Sequence, residues 1–528
     1  MDWYTNAIFY ELYPRAFADA DGDGHGDFEG LNQHLDYLQW LGVDCIWMTP
    51  IFPSPMRDDG YDVADFSNVH PKFGLLEDFK RMVDGLHSRG LRIVLDLVVN
   101  HTSDQHEWFK QARSSRESPM RDWYVWSDSP DKYAGTRIIF LDTESSNWTY
   151  DDATRQYYWH RFYSTQPDLN YDNPAVQQAM LNVMRFWLDL GVDGFRVDAV
   201  PYLIEREGTS SENLPETHDY LQVMRRLIDQ EYPGRVLLGE ANQWARDLLP
   251  YFGTEAAPEF HMCFHFPVMP RLYLALATAD RTSLVETLAD TPAIPAGTQW
   301  ATFLRNHDEL TLEMVTEAER QFMWEFYAPE PRQRLNLGIR RRLAPLMGND
   351  RRKIELMHSL LFTLPGTPVL YYGDEIGMGD DIAQFDRNGV RTPMQWDDSA
   401  NAGFSSAESL YLPVISDAEY GYQHVNVATQ QAEPGSLLHT VRGMIALRKN
   451  QPLLSTGQLI WWDDLPPQAL CFWRGVGADQ LLLLHNLSDV PLRLVFPDDR
   501  PYRDLLTTTL ATIAMELPPY GYCWLAPA

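Results

Sequence analysis

An α/β chain that folds as a parallel (β/α)8 TIM barrel, with an inserted subdomain after its third strand and a C-terminal antiparallel β-sandwich domain, is what the sequence predicts. Three observations predict it. Eight short runs rich in apolar and β-branched residues recur, amphipathic segments lie between them, and the chemically distinctive side chains fall at or just beyond the end of a run.

The eight runs are residues 7–13, 44–50, 92–98, 194–200, 236–241, 261–267, 302–308 and 367–375. Their length and composition suit strands buried on both faces. Residues 31–41, 75–89, 175–190 and 218–231 place apolar side chains at three- and four-residue spacing with glycine-containing stops, as helices packed on one face do. Strand and helix alternating in this way close a barrel whose functional groups gather at the C-terminal ends of the strands. Asn100, His101, Asp198, Glu240, His307 and Asp308 all fall there. Two connections exceed an ordinary crossover. Residues 101–172, rich in Trp, Asp and Ser, read as a subdomain roofing the site, and 309–352 as a lid or solvated helix carrying Arg332, Arg334, Arg340, Arg341 and Arg342. The barrel then occupies 1–100 and 173–450. From 451 to 528, short alternating runs (459–462, 481–484, 492–496, 522–525) broken by Pro and Gly predict the β domain.

A chain of 528 residues is long enough for one large domain with appendages. Its net charge of −31 opposes nucleic acid and anionic membrane surfaces, which are polyanions, so the expected ligand is small and neutral. The 17 Trp, 26 Tyr and 24 Phe offer flat faces on which sugar rings stack, although most of them must serve the core. Cys45, Cys263, Cys471 and Cys523 form neither a CxxC pair nor a tight framework, which suits a reducing compartment. The N-terminus lacks a basic and then apolar leader pattern, and no apolar run is of membrane-spanning length, so a cytoplasmic protein is expected. Asn147 and Asn486, each in an N-x-Ser/Thr triplet, then match a glycosylation signal by chance.

Residues 194–198, Gly-Phe-Arg-Val-Asp, put an arginine and an aspartate two apart on one strand face. Such a pair is either a structural ion pair or a nucleophile kept ionised by a fixed cation. Glu240 and Asp308, at two further run ends, favour chemistry. Carboxylates flanking a glycosidic bond divide nucleophile and acid roles when their environments separate their pKa values. Arg196 is expected to hold Asp198 low as the nucleophile; Glu240, with no cation beside it in sequence, is expected to stay protonated as general acid and base. His101 and His307 would donate to sugar hydroxyls, and Asp308 would grip hydroxyls of a distorted ring.

The stretches 96–101 (Asp-Leu-Val-Val-Asn-His), 194–198, 238–241 (Leu-Gly-Glu-Ala) and 303–308 (Phe-Leu-Arg-Asn-His-Asp) resemble, in order, four signature regions of the α-amylase family, glycoside hydrolase family thirteen. Residues 166–170 (Gln-Pro-Asp-Leu-Asn) resemble a fifth region in its oligo-1,6-glucosidase-like branch. The resemblance implies a retaining double displacement with Asp198, Glu240 and Asp308 as the triad. It also implies that Asp58, Tyr61, His101, Arg196, His307 and Arg391 line the subsite of the reacting glucose, Asp58 and Arg391 closing its blind end; Phe162 and Arg387 join the substrate-binding set. Longer stretches, 200–218, 306–314 and 389–396, are similar to the trehalose synthase branch, which interconverts maltose and trehalose. Ala199, where α-1,6-specific relatives tend to carry Val, fits an α-1,4 link.

Isomerisation makes a demand that hydrolysis does not: the freed glucose must stay, turn and attack through its anomeric oxygen before water does. Tyr202, Glu216, Asn242 and Glu309, near the strand ends, are the candidates to hold that glucose and exclude solvent, and imperfect closure would leak glucose. The alternatives are an α-glucosidase or oligo-1,6-glucosidase acting on short α-glucosides, a sucrose isomerase, and an inactive carbohydrate-binding or transporter-associated subunit.

Asp19-Ala-Asp21-Gly-Asp23-Gly-His25-Gly-Asp27 places carboxylates at alternate positions with glycine at the sixth, as in a calcium loop, but the twelfth position is Gly30 rather than Glu. A solvated Asx-turn loop is the alternative. The family resemblance implies Ca²⁺ held by these four aspartates and the backbone oxygen of His25. It implies a second structural Ca²⁺ on Asn100, Asp168, Glu205 and the backbone oxygens of Tyr202 and Leu203. No organic cofactor is expected. The expected partners are disaccharide substrates, maltose and trehalose, with a homodimer and a maltokinase as further expectations and neither nucleic acid nor membrane among them.

Overall fold

Eight parallel strands close into a barrel in sequential order: β1 (Phe9–Leu12), β2 (Cys45–Met48), β3 (Arg92–Val98), β4 (Gly194–Asp198), β5 (Val236–Gly239), β6 (Met262–Phe264), β7 (Gln299–Phe303) and β8 (Thr367–Tyr371), with β8 pairing back onto β1. The computed structural model describes residues 2–477, 479–498, 500–511 and 513–528. Nearly every strand residue is buried, because helices cover the outer face and side chains fill the inner one.

Two elements depart from the sequence-based expectation. The seventh strand begins at Gln299 rather than 302: Trp300 and Ala301 pair with Cys263 and Phe264, which extends the apolar run backwards and leaves residues 304–308 as loop. There the Asn306 side chain accepts from the Asp308 amide at 3.1 Å. The helix expected over 31–41 is two, Phe28–Gln33 and Leu35–Leu41, broken at His34, whose ring Nδ1 lies 2.8 Å from the Gly30 carbonyl.

Register positions the chemistry. Val98 pairs with Asp198 across β3 and β4, and Val197 with Gly239 across β4 and β5, so Glu240 follows at the level of Asp198. Glycine is required at 239, where a Cβ would stand 2.6 Å from the Phe260 ring. Between residues 101 and 172 the chain leaves the barrel and builds a three-stranded antiparallel sheet, Trp126–Ser127, Gln156–Trp159 and Trp148–Asp151. It returns through a bridge between His101 and Asp168.

After β7 come the helix Glu317–Tyr327 and a hairpin of Arg334–Leu335 with Gly338–Ile339. The arginines here do not form the solvated face expected of them, apart from Arg332, which pairs with Glu330 at the surface. Arg340 donates to the carbonyls of Gln384 and Asp386 at 2.8 and 2.7 Å, and Arg341 pairs with Asp380 at 3.0 Å. Arg342 is fully buried, bonded to the Tyr372 carbonyl at 2.7 Å with its guanidinium over the rings of Tyr371 and Tyr372. Buried cations persist only with such partners. Together they pin the hairpin to the loop 380–386.

The C-terminal domain stacks a six-stranded antiparallel sheet, running from Leu459–Trp461 to Leu510–Ala511, against the pair Leu492–Val495 and Ala514–Leu517, with Leu482, Leu484, Leu494 and Leu525 between them. Buried Arg474 docks it on the barrel, donating to the Thr363 carbonyl at the end of helix Arg351–Thr363 at 2.7 Å and to the Gly457 carbonyl at 3.1 Å. Hydrogen bonds from a charged donor contribute ~1.5–3 kcal/mol each, so Arg474→Met is expected to lower stability by about 3 kcal/mol. Urea unfolding reads this directly, and an unchanged midpoint would mean that the sheet docks without that residue.

Candidate active site

Three carboxylates meet at the C-terminal mouth of the barrel: Asp198 ends β4, Glu240 follows β5, and Asp308 stands in the loop after β7. One guanidinium organises the first two. Arg196, buried on β4, donates through Nη1 to Asp96 and Asp198, both at 2.7 Å, and through Nη2 to Glu240. Asp96, on β3, also accepts from Trp47 Nε1 at 3.1 Å and Tyr61 Oη at 2.8 Å; burial pushes its carboxyl up to about 6 against the pull of Arg196. Ala199, directly after Asp198, adopts φ 52° and turns its amide onto Glu240 Oε2 at 3.1 Å. A β-branched residue resists that left-handed conformation.

Arg196 does not favour Asp198 over Glu240, contrary to the expectation from sequence neighbours, because it reaches both. Burial pushes the Asp198 carboxyl well above the usual range; Arg196 opposes this and the adjacent Glu240 adds to it. The two carboxyls thus meet on one guanidinium, and the Asp198 carboxyl feels the charge of its neighbour as well as that of Arg196. Asp308 is the opposite case. Burial would raise it, but the guanidiniums of Arg387 at 2.9 Å and Arg391 at 3.2 Å hold it well below the usual carboxylate range.

The pocket above the triad is narrow, about 130 Å³. The barrel segments supply Asp58, Tyr61, His101 and His307 to its wall, and the inserted subdomain supplies Ile139, Phe140 and Phe162. The loops after β4, β5 and β7 add Tyr202, Asn242 and Glu313, and the segment after β8 adds Arg387. His101 is neutral, since burial pushes it down to about 3, and its Nε2 lies 3.2 Å from the Tyr61 carbonyl. Burial keeps His307 neutral too; its ring stacks on Tyr61 with Nε2 2.7 Å from the phenol oxygen. Asp58 accepts from Gln166 at 2.7 Å, and burial pushes it up to about 8.

Several expected residues stand elsewhere. Arg196 lies beneath the triad rather than in the pocket wall. Arg391 pairs with Asp59 at 2.8 Å, not with Asp58, and meets the site through Asp308. Glu309 turns onto Arg387 at 2.8 Å and Asn336 at 2.9 Å, bracing a guanidinium that itself faces the pocket. Glu216 is outside the site. It occupies the first turn of helix Pro215–Glu231, where the positive helix end favours a carboxylate, and pairs with Arg206 at 2.9 Å. Conversely, spacing in the sequence gives no sign of Ile139, Phe140 or Glu313, because folding of the insertions, not a strand end, brings them in. Glu313 is held by Arg137 at 3.0 Å, and the same guanidinium reaches Glu212 at 2.8 Å and Tyr202 Oη at 3.3 Å.

Two oxygen clusters fit a hard cation. Asn100 Oδ1, Asp168 Oδ2 and Glu205 Oε1 are buried without a hydrogen-bond partner among the described residues. Burial pushes Asp168 up and Glu205 up to about 8, as expected of carboxylates short of a counter-charge. Tyr202 and Leu203 lie in the turn just before Glu205. In the loop 19–27, carboxylate oxygens of Asp19, Asp21 and Asp27 lie within 4.8 Å of one another. Asp23 turns instead to Lys72, and the His25 ring lies 3.4 Å from it, so three aspartates converge rather than the expected four.

The model of the alpha-amylase catalytic domain matches residues 11–325 and 340–457. Over 503 residues the chain is 56% identical to a trehalose synthase/amylase of Mycolicibacterium smegmatis, covering 93% of this chain and 85% of that protein. It is 52% identical to a trehalose synthase of Thermus thermophilus, over 93% of this chain and 51% of that one. The crystal structure of the trehalulose synthase MutB from Pseudomonas mesoacidophila superposes with a TM-score of 0.82 at 30% identity, covering 99% of this chain and 100% of the other. With a match of that extent laid over a barrel whose strand ends carry the carboxylates, the chain belongs to the alpha-amylase family and is an enzyme of it.

Proposed function

We propose that this enzyme reversibly isomerises maltose to trehalose by moving a glucosyl unit within one enzyme-bound disaccharide, with weak hydrolysis to glucose. The observation that carries the reading is the pair Asp198 and Glu240 on one guanidinium inside a narrow, roofed pocket. The relatives named trehalose synthase support it.

In the first half-reaction Asp198 attacks C1 of the non-reducing glucose while the glycosidic C1–O bond breaks and Glu240 gives its proton to the leaving oxygen. A β-glucosyl ester on Asp198 results. The freed glucose turns, Glu240 takes the proton from its anomeric hydroxyl, and that oxygen attacks C1 as the ester bond breaks, giving α,α-trehalose. Two inversions retain the configuration. The reaction requires a proton on Glu240 and an anionic Asp198 when substrate binds; Arg196, at 2.7 Å from Asp198, favours that anion. Asp308, held anionic by its arginines, suits the hydroxyls of a ring distorted towards the oxocarbenium ion.

Water would intercept the ester in an open site. A pocket of about 130 Å³ lies below the ~300–1,000 Å³ typical of small-ligand sites, so a disaccharide enters only as the walls part. The walls then close on it. Hydrolysis is what the same triad does when closure fails.

Ca²⁺ is proposed on Asn100, Asp168 and Glu205 with the Tyr202 and Leu203 carbonyls, and on the loop of Asp19, Asp21 and Asp27. Hard oxygen donors suit it, and when bound it would tie the insertion to the barrel. A cytoplasmic setting fits four buried cysteines that form no disulfide, and no helix of the described residues is long and apolar enough to cross a membrane. A homodimer and a maltokinase complete the proposed partners.

Incubation with maltose in the presence of labelled free glucose tests the transfer. Trehalose should dominate over glucose and carry little label; trehalose labelled as fully as exchange with the bath allows would rule out a retained glucose, and glucose alone would make the enzyme a hydrolase. Asp198→Asn and Glu240→Gln are expected to lower kcat by at least about 10²–10⁴ without changing the melting temperature, whereas Glu216→Ala should leave kcat/KM as it was. Mass spectrometry of metal content should find one Ca²⁺ fewer per chain in Asp168→Asn, with a lower melting temperature. Equal content in both proteins would remove that site.

A further inference from the structure

A second cavity, about 460 Å³, lies against the loop that carries Glu240 and Asn242, and it shares no lining residue with the catalytic pocket. Trp244 and Asp247 wall it from that loop, and Arg271 from helix Val268–Thr278. Glu286 and Thr287 come from helix Thr282–Ala289, and Glu319 from the first turn of helix Glu317–Tyr327. Two of these segments also reach the catalytic pocket. Asn242 and Glu313 line the one cavity, and Trp244 and Thr316, two and three residues further on, line the other.

The chemistry of the walls is selective. Trp244 leaves 42% of its surface exposed, an aromatic face that serves no core. Arg271 is 5% exposed: its Nη2 stands 3.3 Å from Glu319 and its guanidinium carbon 6.0 Å from the centre of the Trp244 ring, so cation and aromatic side chain meet at one wall of the cleft. Anions are disfavoured, because Asp247, Glu286, Asp290 and Glu319 outnumber Arg246 and Arg271. An exposed aromatic surface beside a guanidinium and several carboxylate acceptors suits a neutral ring with hydroxyls on its edge and C–H groups on its face. The volume lies within the ~300–1,000 Å³ of small-ligand sites.

We propose that this cleft is a second, non-catalytic site for a neutral pyranose, either free glucose or one ring of a disaccharide, and that a sugar bound there ties the Glu240 loop to the start of the lid helix. Which α-glucoside the enzyme converts does not enter into it. Full-length Asp198→Asn, whose turnover is expected to be at least about 10²-fold slower, is titrated by calorimetry with glucose and, separately, with trehalose. Each titration reporting a site that Trp244→Ala weakens by at least about tenfold is the expected result, and the two sugars distinguish a monosaccharide from a disaccharide occupant. Thr287→Tyr, which fills the cleft from another wall, should remove the same site. In the active enzyme Trp244→Ala should keep kcat/KM at low maltose and abolish any departure from a hyperbola at high sugar. Isotherms unchanged by both Trp244→Ala and Thr287→Tyr overturn the second site while leaving the catalytic reading intact.

Discussion

Everything at the mouth of the barrel depends on one buried guanidinium. Arg196 faces three carboxyls, Asp96, Asp198 and Glu240, from three adjacent strands, and its own surface is 1% exposed. Such burial is a poor way to gain stability, since desolvating the charges costs about as much as pairing them returns. It is tolerable because the strand register fixes all four groups before any substrate arrives. Val98 opposite Asp198, and Val197 opposite Gly239, leave the carboxyls no freedom to drift apart. One cation for three acids also leaves the site short of positive charge, and burial with that shortage pushes the Asp198 carboxyl above the usual range.

Asp308 completes a deliberate contrast. It faces Arg387 and Arg391, and each of those is braced from behind, Arg387 by Glu309 and Arg391 by Asp59, which in turn pairs with Arg15. Two neighbouring environments, one poor in cations and one rich in them, thus push the Asp198 carboxyl up and hold Asp308 down, the separation that a division of tasks among like groups needs.

The barrel was legible because a strand buried on both faces leaves an uninterrupted apolar run, and the carboxylates were legible because a closed parallel sheet gathers strand ends whatever their distance along the chain. Reasoning from sequence neighbours failed where contact depends on cross-strand register. Nothing near residue 240 in the chain indicates that Arg196 reaches it. It failed again at Glu216, which lies in the long segment after β4 but is carried off by the start of a helix and taken by Arg206. Arg342 looks like one of a run of surface charges, yet it is buried over two tyrosine rings because the hairpin before it folds back on the barrel. Phe140 and Glu313 were illegible for a related reason: long insertions have no periodic pattern tying them to the sheet.

In the proposed reaction those insertions, not the triad, would decide between water and sugar as the second nucleophile. An ester on Asp198 would react with whichever hydroxyl is present, so the product would be set by how long the walls hold the freed glucose. Arg137 is the link between them, joining the inserted subdomain to Glu212 and Tyr202 after β4 and to Glu313 after β7. Its side chain is 41% exposed while Glu212 and Glu313 are 10% and 21% exposed, so the link is neither a freely solvated pair nor a fully buried one. A wall fastened at one half-exposed guanidinium could part for an incoming disaccharide and reform once it is inside. Tighter fastening would slow entry, and none would admit water. In that reading the balance between isomerisation and leakage would rest on the contacts of one guanidinium, set in the roof of the site while the rigid sheet below keeps the reacting groups in place.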